Sequence, residues 1–262
     1  MTGAVPRATG PAVPGGMTRT ANVQVWVWRV LVVGALVLAV RLVTALDWTH
    51  VLPSWQFLLL ALGRSWWLAI IAMAIGIAAA VPLALLRVYG PRWPRRGATL
   101  LIEAVRATPE LMIIFWVYFT LPVVTGSQVS AWNAALGSLS VIAAAYLAEV
   151  VRAGLYSVPQ TQQEAARALG LKPLAVFRLV VLPQALRNML PALIAQLVSL
   201  FKTTSLVYAI GVMDFFRAVS VTNNAVYAPY PLYLVLAAGY FVSCWTITQV
   251  VRRFDPAYQL LE

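Results

Sequence analysis

Charge is scarce in this sequence. Only 10% of its 262 residues are Asp, Glu, Lys or Arg, against about 25% in an average soluble domain, which excludes an ordinary water-soluble globule. One cysteine, Cys244, sits inside an apolar run, so no disulfide closes within the chain. The single histidine, His50, has no second histidine or cysteine with which to share a metal, and no metal site is expected. No G-x-x-x-x-G-K-[ST] phosphate loop is present, so the chain is not expected to be an ATPase or to bind a cofactor. The period-two alternation of a membrane β-strand is missing too, which leaves helices as the way to satisfy a backbone in lipid.

What is abundant is apolar surface. Hydrophobic residues make up 61% of the chain, gathered into runs of roughly the twenty residues a bilayer core requires. The expected fold is all-α: a polytopic membrane protein of about six transmembrane helices. Expected spans are 26–46, 65–86, 109–121, 133–151, 189–210 and 231–250, with residues 1–25 a Pro- and Gly-rich disordered cytoplasmic tail. Leu52 to Leu62 reads as an interfacial helix entering the second span, and Ala98 to Val105 as a short amphipathic piece. The net charge of +11 does not imply nucleic acid, because the bases cluster in the short links between apolar runs. Arg87 to Arg96, Arg152 to Arg187 and Arg252-Arg253 then fall inside, and only Arg41, Arg64 and Arg217 fall outside. That asymmetry places both termini in the cytoplasm of a multi-pass plasma-membrane protein.

One link is too structured to be mere slack. TQQEAARALGLKPLAVFRLVVLPQ, Thr161 to Gln184, reads as two short helices. Thr161 and Glu164 have capping-box spacing, Gly170 supplies a left-handed stop, and Pro173 suits the first turn of a second helix. Leu174, Phe177 and Val181 form one apolar stripe, and the helix is expected to stop before Pro183. A rigid hairpin showing the small side chains Ala165 and Ala166 suits close docking to a partner. A plain capped connector is the alternative.

Glu164-Ala165-Ala166, Gly170 and Val180-x-Leu182-Pro183 resemble the EAA loop of ATP-binding-cassette importer permeases, with Val180 in place of the usual Ile. RATPELMIIFWVYFTLP (Arg106 to Pro122), AAYLAEVVRAG (Ala144 to Gly154) and FKTTSLVYAIGVMDFFR (Phe201 to Arg217) are similar to polar amino-acid permeases. The last is closest to glutamate/aspartate permeases, although Thr203 stands where those often carry Asp or Asn. The resemblance covers roughly residues 60–255 and implies a permease domain with a cytoplasmic coupling loop at 158–188, after an extra N-terminal helix at 26–46. It implies that Glu164, Ala165, Ala166, Gly170, Leu182 and Pro183 engage a cytoplasmic ATPase subunit, on which ATP is bound. It also implies a second permease subunit, the same chain or a related one, and an extracytoplasmic amino-acid-binding protein in a bacterial inner membrane.

Inside the apolar runs, Lys202 draws attention because a cation at a span centre costs roughly 2.5–3.5 kcal/mol to insert. With Thr203, Thr204 and Ser205 it makes a polar patch able to hold a carboxylate. Snorkelling, or pairing with Glu149, is the alternative. Glu149, also a candidate on the substrate path, stands three residues before Arg152, as Asp214 does before Arg217. This is the spacing of a local ion pair, with gating by Glu149 and binding-protein contact by Asp214 and Arg217 as the alternatives. The expected function is import of glutamate or aspartate by alternating access. Import of other polar or basic amino acids, or stand-alone ion-coupled transport, is the alternative.

Overall fold

Small residues decide how the principal helices meet. In the computed structural model, which describes residues 17–49 and 51–252, the 35-residue helix α2 (Trp55–Tyr89) buries Ala61, Ser65, Ala69, Ala72, Gly76, Ala80 and Ala84 along one side. That side packs on α5 (Ala131–Tyr156). A Cβ placed on Gly76 would lie 2.6 Å from the Cβ of Ala143, so the two backbones are as close as a glycine permits. Close approach of this kind replaces the hydrophobic drive that helices lack in lipid. Leu68, Leu139, Ile142 and Leu147 fill the remaining interface, joined by Ile102, Ile114 and Leu200 from neighbouring helices.

α2 starts straight after a 3-10 turn at Leu52–Ser54. The piece expected as a separate interfacial helix is thus the first part of one long helix. After α2 come α3 (Arg92–Ala107) and α4 (Glu110–Thr125), bent by 107° where Thr108 adopts the extended conformation that a following proline favours. Ser130 caps α5, its hydroxyl accepting from Asn133 N–H at 3.2 Å. α6 (Gln160–Ala168) and α7 (Pro173–Val176) form a hairpin. α8 (Leu182–Thr203) passes into a 3-10 stretch, Thr204–Ile210, that ends at Gly211 with φ +89°. α9 (Phe215–Val226), not expected from the sequence, and α10 (Pro229–Arg252) complete the described chain.

Among the described residues four helical stretches are long and apolar enough to cross a membrane, at 52–89, 131–156, 173–210 and 229–250. The α3–α4 pair makes a fifth if its bent halves count together. No strand occurs among these residues. The expected span at 109–121 is α4, whose 16 residues reach about 24 Å.

The chain divides into two bodies, Met1–Trp48 and Thr49–Glu262. The first holds α1 (Met17–Ala45), closed by a 2.8 Å bond from Trp48 Nε1 to the Val43 carbonyl. The start of the expected N-terminal tail, residues 1–16, lies outside the described residues, as do His50 and Arg253.

Candidate functional site

The hairpin departs from its sequence reading at both ends. α6 begins at Gln160 with Pro159 as its N-cap, and no side chain caps it. Pro159 has φ −56° and ψ 137°, and its carbonyl accepts from Gln162 N–H at 3.2 Å. Thr161 therefore sits inside the first turn, and the expected Thr161–Glu164 capping box does not form. The far end matches expectation: Gly170 has φ +81° and donates to the Arg167 carbonyl at 2.9 Å, while Leu171 donates to that of Ala166 at 3.2 Å. These are the paired bonds of a Schellman stop. Nothing lies within 4 Å of a Cβ built on Gly170, so backbone conformation alone demands glycine there.

Ala165 and Glu164 face outward, whereas Ala166 is buried among Leu155, Val158, Val176, Val181, Ala185 and Met189. The predicted stripe needs correction, because Leu174 is 66% exposed and Val176 takes its place in the core. The reason is a π turn at Phe177–Val181. The buried positions Val176, Val181, Ala185 and Met189 are spaced by five across the π turn and by four thereafter. The same turn corrects the expected stop before Pro183. Leu182 N–H bonds the Phe177 carbonyl, and Pro183, which has no N–H to give, lies in the first turn of α8. The helix runs on through the proline.

Leu169, 83% exposed, stands with Leu174 and Leu179 on the open surface of the hairpin. A groove of about 520 Å³ separates it from the end of α2, lined by Leu85, Tyr89, Arg167, Leu174 and Phe177. Leu182 is half-buried and Pro183 exposed. Gln184 Nε2 donates to Gln162 Oε1 at 2.7 Å, tying the start of α8 to α6.

Beside the hairpin, Glu149 gathers three guanidinium groups. Arg152 Nε lies 3.1 Å from both carboxylate oxygens, and Arg152 Nη2 also donates to Oε1. Arg87 Nη1 lies 2.8 Å away and Arg106 Nη1 3.9 Å. Arg87 bonds Glu103 as well, at 3.2 Å. The local pair with Arg152 is therefore one strand of a knot joining α2, α3 and α5, and Glu149 does not pair with Lys202. An adjoining cavity of about 420 Å³ is lined by Arg106, Tyr146, Glu149, Ser157, Asn188 and Gln196.

The polar patch at the end of α8 is split by the fold. Thr203 is buried, and its hydroxyl donates to Glu110 Oε2 at 2.8 Å and to the Ser199 carbonyl at 3.2 Å. Thr204 is fully buried and bonds the Phe201 carbonyl. Ser205 is half-buried, and Lys202 is exposed. Glu110 is the residue the sequence reading missed. Its signal was an acid opening an apolar run just after Pro109, where the positive end of the α4 dipole favours it.

Asp214 is 1% exposed and caps α9, accepting from Phe216 N–H at 3.1 Å and Arg217 N–H at 2.9 Å. Burial pushes its pKa up to about 6. The Arg217 guanidinium turns instead to the Tyr208 carbonyl at 3.3 Å, so the expected side-chain ion pair is a backbone cap.

Residues 72–259 match the family described as binding-protein-dependent transport system inner membrane component. The chain is 36% identical over 181 residues to an octopine transport system permease protein of Rhizobium meliloti, covering 66% of this chain and 74% of that one. It is 32% identical over 203 residues to a glutamate/aspartate import permease protein of Escherichia coli O6:H1, covering 75% and 91%. Among solved structures it is similar to an amino acid ABC transporter crystallised with histidines, with TM-score 0.76 and 28% identity, covering 80% of this chain and 98% of that one.

Proposed function

Because the chain belongs to the family of binding-protein-dependent transport system inner membrane components, we propose that its α6–α7 hairpin couples ATP hydrolysis on separate subunits to the passage of glutamate or aspartate. The chain is a multi-pass inner-membrane permease subunit of an amino-acid ABC importer. The observation that carries the coupling reading is the hairpin itself. Gly170 stops α6 in a fixed geometry, Ala166 and Val176 anchor it to the fold, and Glu164, Ala165 and Leu169 are left outward beside an open groove. Held rigidly from within and bare outside, the hairpin is shaped to pass on a push from a docked ATPase. Leu182 and Pro183 belong to the π-to-α junction through which that push enters α8.

In this mechanism both termini are cytoplasmic, and two permease chains alternate between outward- and inward-facing states. A binding protein delivers substrate from outside. Lys202, Thr203 and Ser205 are the candidate contacts for the substrate. Thr204 supports them from within, since its hydroxyl is committed to the Phe201 carbonyl. Glu149 acts at the cytoplasmic end through its arginine knot rather than on the substrate head group.

A second reading of the substrate is favoured by Glu110. A carboxylate at the patch attracts an ammonium or guanidinium group, which suits a basic amino acid, while Lys202 suits an acidic one. Competition for uptake separates the two. In proteoliposomes holding the assembled transporter, excess aspartate should suppress labelled glutamate uptake while arginine leaves it unchanged. Suppression by arginine and not by aspartate would reverse the assignment.

A further inference from the structure

α3 stands apart from the spanning helices. It meets α4 at 107°, so where α4 crosses a bilayer, α3 lies along its surface. It does so at the end of the fold that carries the hairpin. There Tyr89, closing α2, meets Phe177 edge-on with ring centroids 6.4 Å apart, and Arg106, closing α3, faces Glu149.

One side of α3 is committed to the protein. Ala98 and Ile102 are buried, and Arg95 donates to the Gly90 carbonyl at 3.1 Å; Glu103, on the edge it shares with Arg96, is exposed and bonds Arg87. The opposite side has no partner among the described residues. Trp93 is 79% exposed and Leu100 69%, with Leu101 exposed next to them. At about 100° per residue, Trp93 and Leu100 project within roughly 20° of each other, and Arg96 lies roughly 40° from Leu100. Arg92 and Arg96 are both exposed and have no acid as a partner among the described residues, and the Arg96 guanidinium lies 5.5 Å from the Trp93 ring centroid. The only acid of this helix, Glu103, is already bound to Arg87.

A large apolar face bordered by free guanidinium groups, on a helix lying across the spanning direction, has the chemistry of a membrane-surface helix. We propose that α3 lies in the bilayer interface, its Trp93, Leu100 and Leu101 side chains entering the acyl-chain boundary. Arg92 and Arg96 bind anionic phospholipid headgroups of the leaflet on the hairpin side. Charge complementarity selects this occupant: the two guanidinium groups need an anion, and the adjoining apolar side chains need hydrocarbon at the same depth. An anionic phospholipid offers both in one molecule. Because α3 also holds Glu103 and Arg106 in the arginine knot, lipid bound there bears on the segment that links the knot to α4. This inference does not depend on which substrate is carried.

The test uses the full chain purified in mild detergent and exposed to equal amounts of phosphatidylglycerol and phosphatidylcholine. Retained lipid is counted by native mass spectrometry. The wild type should retain phosphatidylglycerol in preference. Each basic residue near an anionic surface contributes about fivefold, so R92Q/R96Q should weaken that preference roughly 25-fold, while R92K/R96K should keep most of it. Inorganic phosphate should not displace the lipid. Equal phosphatidylglycerol retention by the Gln variant and the wild type would overturn the proposal, as would displacement by phosphate alone. If the Gln variant kept its lipid but shed a co-purifying protein subunit, the patch would be a protein interface and the proposal would fall.

Discussion

The hydroxyl of Thr203 donates to Glu110 at 2.8 Å, joining the end of α8 to the first turn of α4 across 93 positions of sequence. Glu110 is one of only 8 acids in the chain, and the bond holds its carboxylate at the polar patch. If that carboxylate takes the substrate's ammonium group, Glu110→Gln should raise KM for uptake roughly 10- to 100-fold, the worth of about 1.5–3 kcal/mol in a hydrogen bond to a charge. Thr203→Val should do the same to a smaller extent. Uptake kinetics in proteoliposomes check both, and an unchanged KM in Glu110→Gln would remove this residue from the substrate path.

Glu149 offers a test of stability rather than transport. Its carboxylate is the common anion for Arg87, Arg106 and Arg152. Glu149→Gln leaves three guanidinium groups without a shared counter-charge, and should destabilise the chain by about 1–3 kcal/mol. The effect reads as a lowered thermal midpoint in detergent. Arg106→Gln, removing the most distant of the three, should cost less. Equal midpoints for wild type and Glu149→Gln would show that the knot contributes nothing.

How much of this was legible in the sequence follows from how local each feature is. Gly170 and Pro173 were readable because their roles depend on one residue's own dihedrals, and the apolar runs because lipid demands length and composition alone. Thr161 misled: its spacing to Glu164 is right for a cap, but with Pro159 as the N-cap the helix starts two residues sooner. Val176 was missed because a π turn breaks the 3.6-residue period on which any stripe is read. Glu110 with Thr203, and Arg87 with Glu149, are contacts between distant segments, and nothing in the local pattern announces them. The bend that turns α3 along the surface was half legible, in Pro109 and in the amphipathic run before it.

The α2–α5 contact predicts strict intolerance at Gly76. A Cβ there would meet Ala143 Cβ at 2.6 Å and the Ala144 backbone nitrogen at 3.2 Å, so the helices must part to admit it. Gly76→Val should cost about 1–3 kcal/mol through overpacking and lower the yield of folded protein. Gly76→Val combined with Ala143→Gly should recover part of the loss. No recovery in the double variant would mean that the backbone, not this pair of side chains, sets the limit.

Asp214 predicts a pH dependence. Its carboxyl titrates near 6 in the fold against an ordinary 3.8, because burial disfavours the anion. The fold therefore binds this proton more tightly than the unfolded chain does. The stability involved is fully present below about pH 4 and is lost as pH rises through 6, on the order of 2–3 kcal/mol. Asn caps a helix about as well as Asp and does not titrate. Asp214→Asn should thus match the wild type near pH 4 and exceed it in thermal midpoint at pH 7. A difference that stays constant between those values would contradict the assignment.

The central claim is that the hairpin transmits ATP-driven motion, and Gly170 tests it most directly. Space around Gly170 is open, so Gly170→Asp costs only the strain of a left-handed side-chain residue, about 1–2 kcal/mol, while placing a charge on the outer surface. The measurement is ATP-driven amino-acid uptake by wild type and Gly170→Asp, each reconstituted with ATPase subunits and binding protein, alongside the amount of ATPase that co-purifies. A coupling hairpin predicts that the variant inserts normally, loses uptake and releases the ATPase. Full uptake by the variant, or wild-type uptake that persists without ATP, would contradict it.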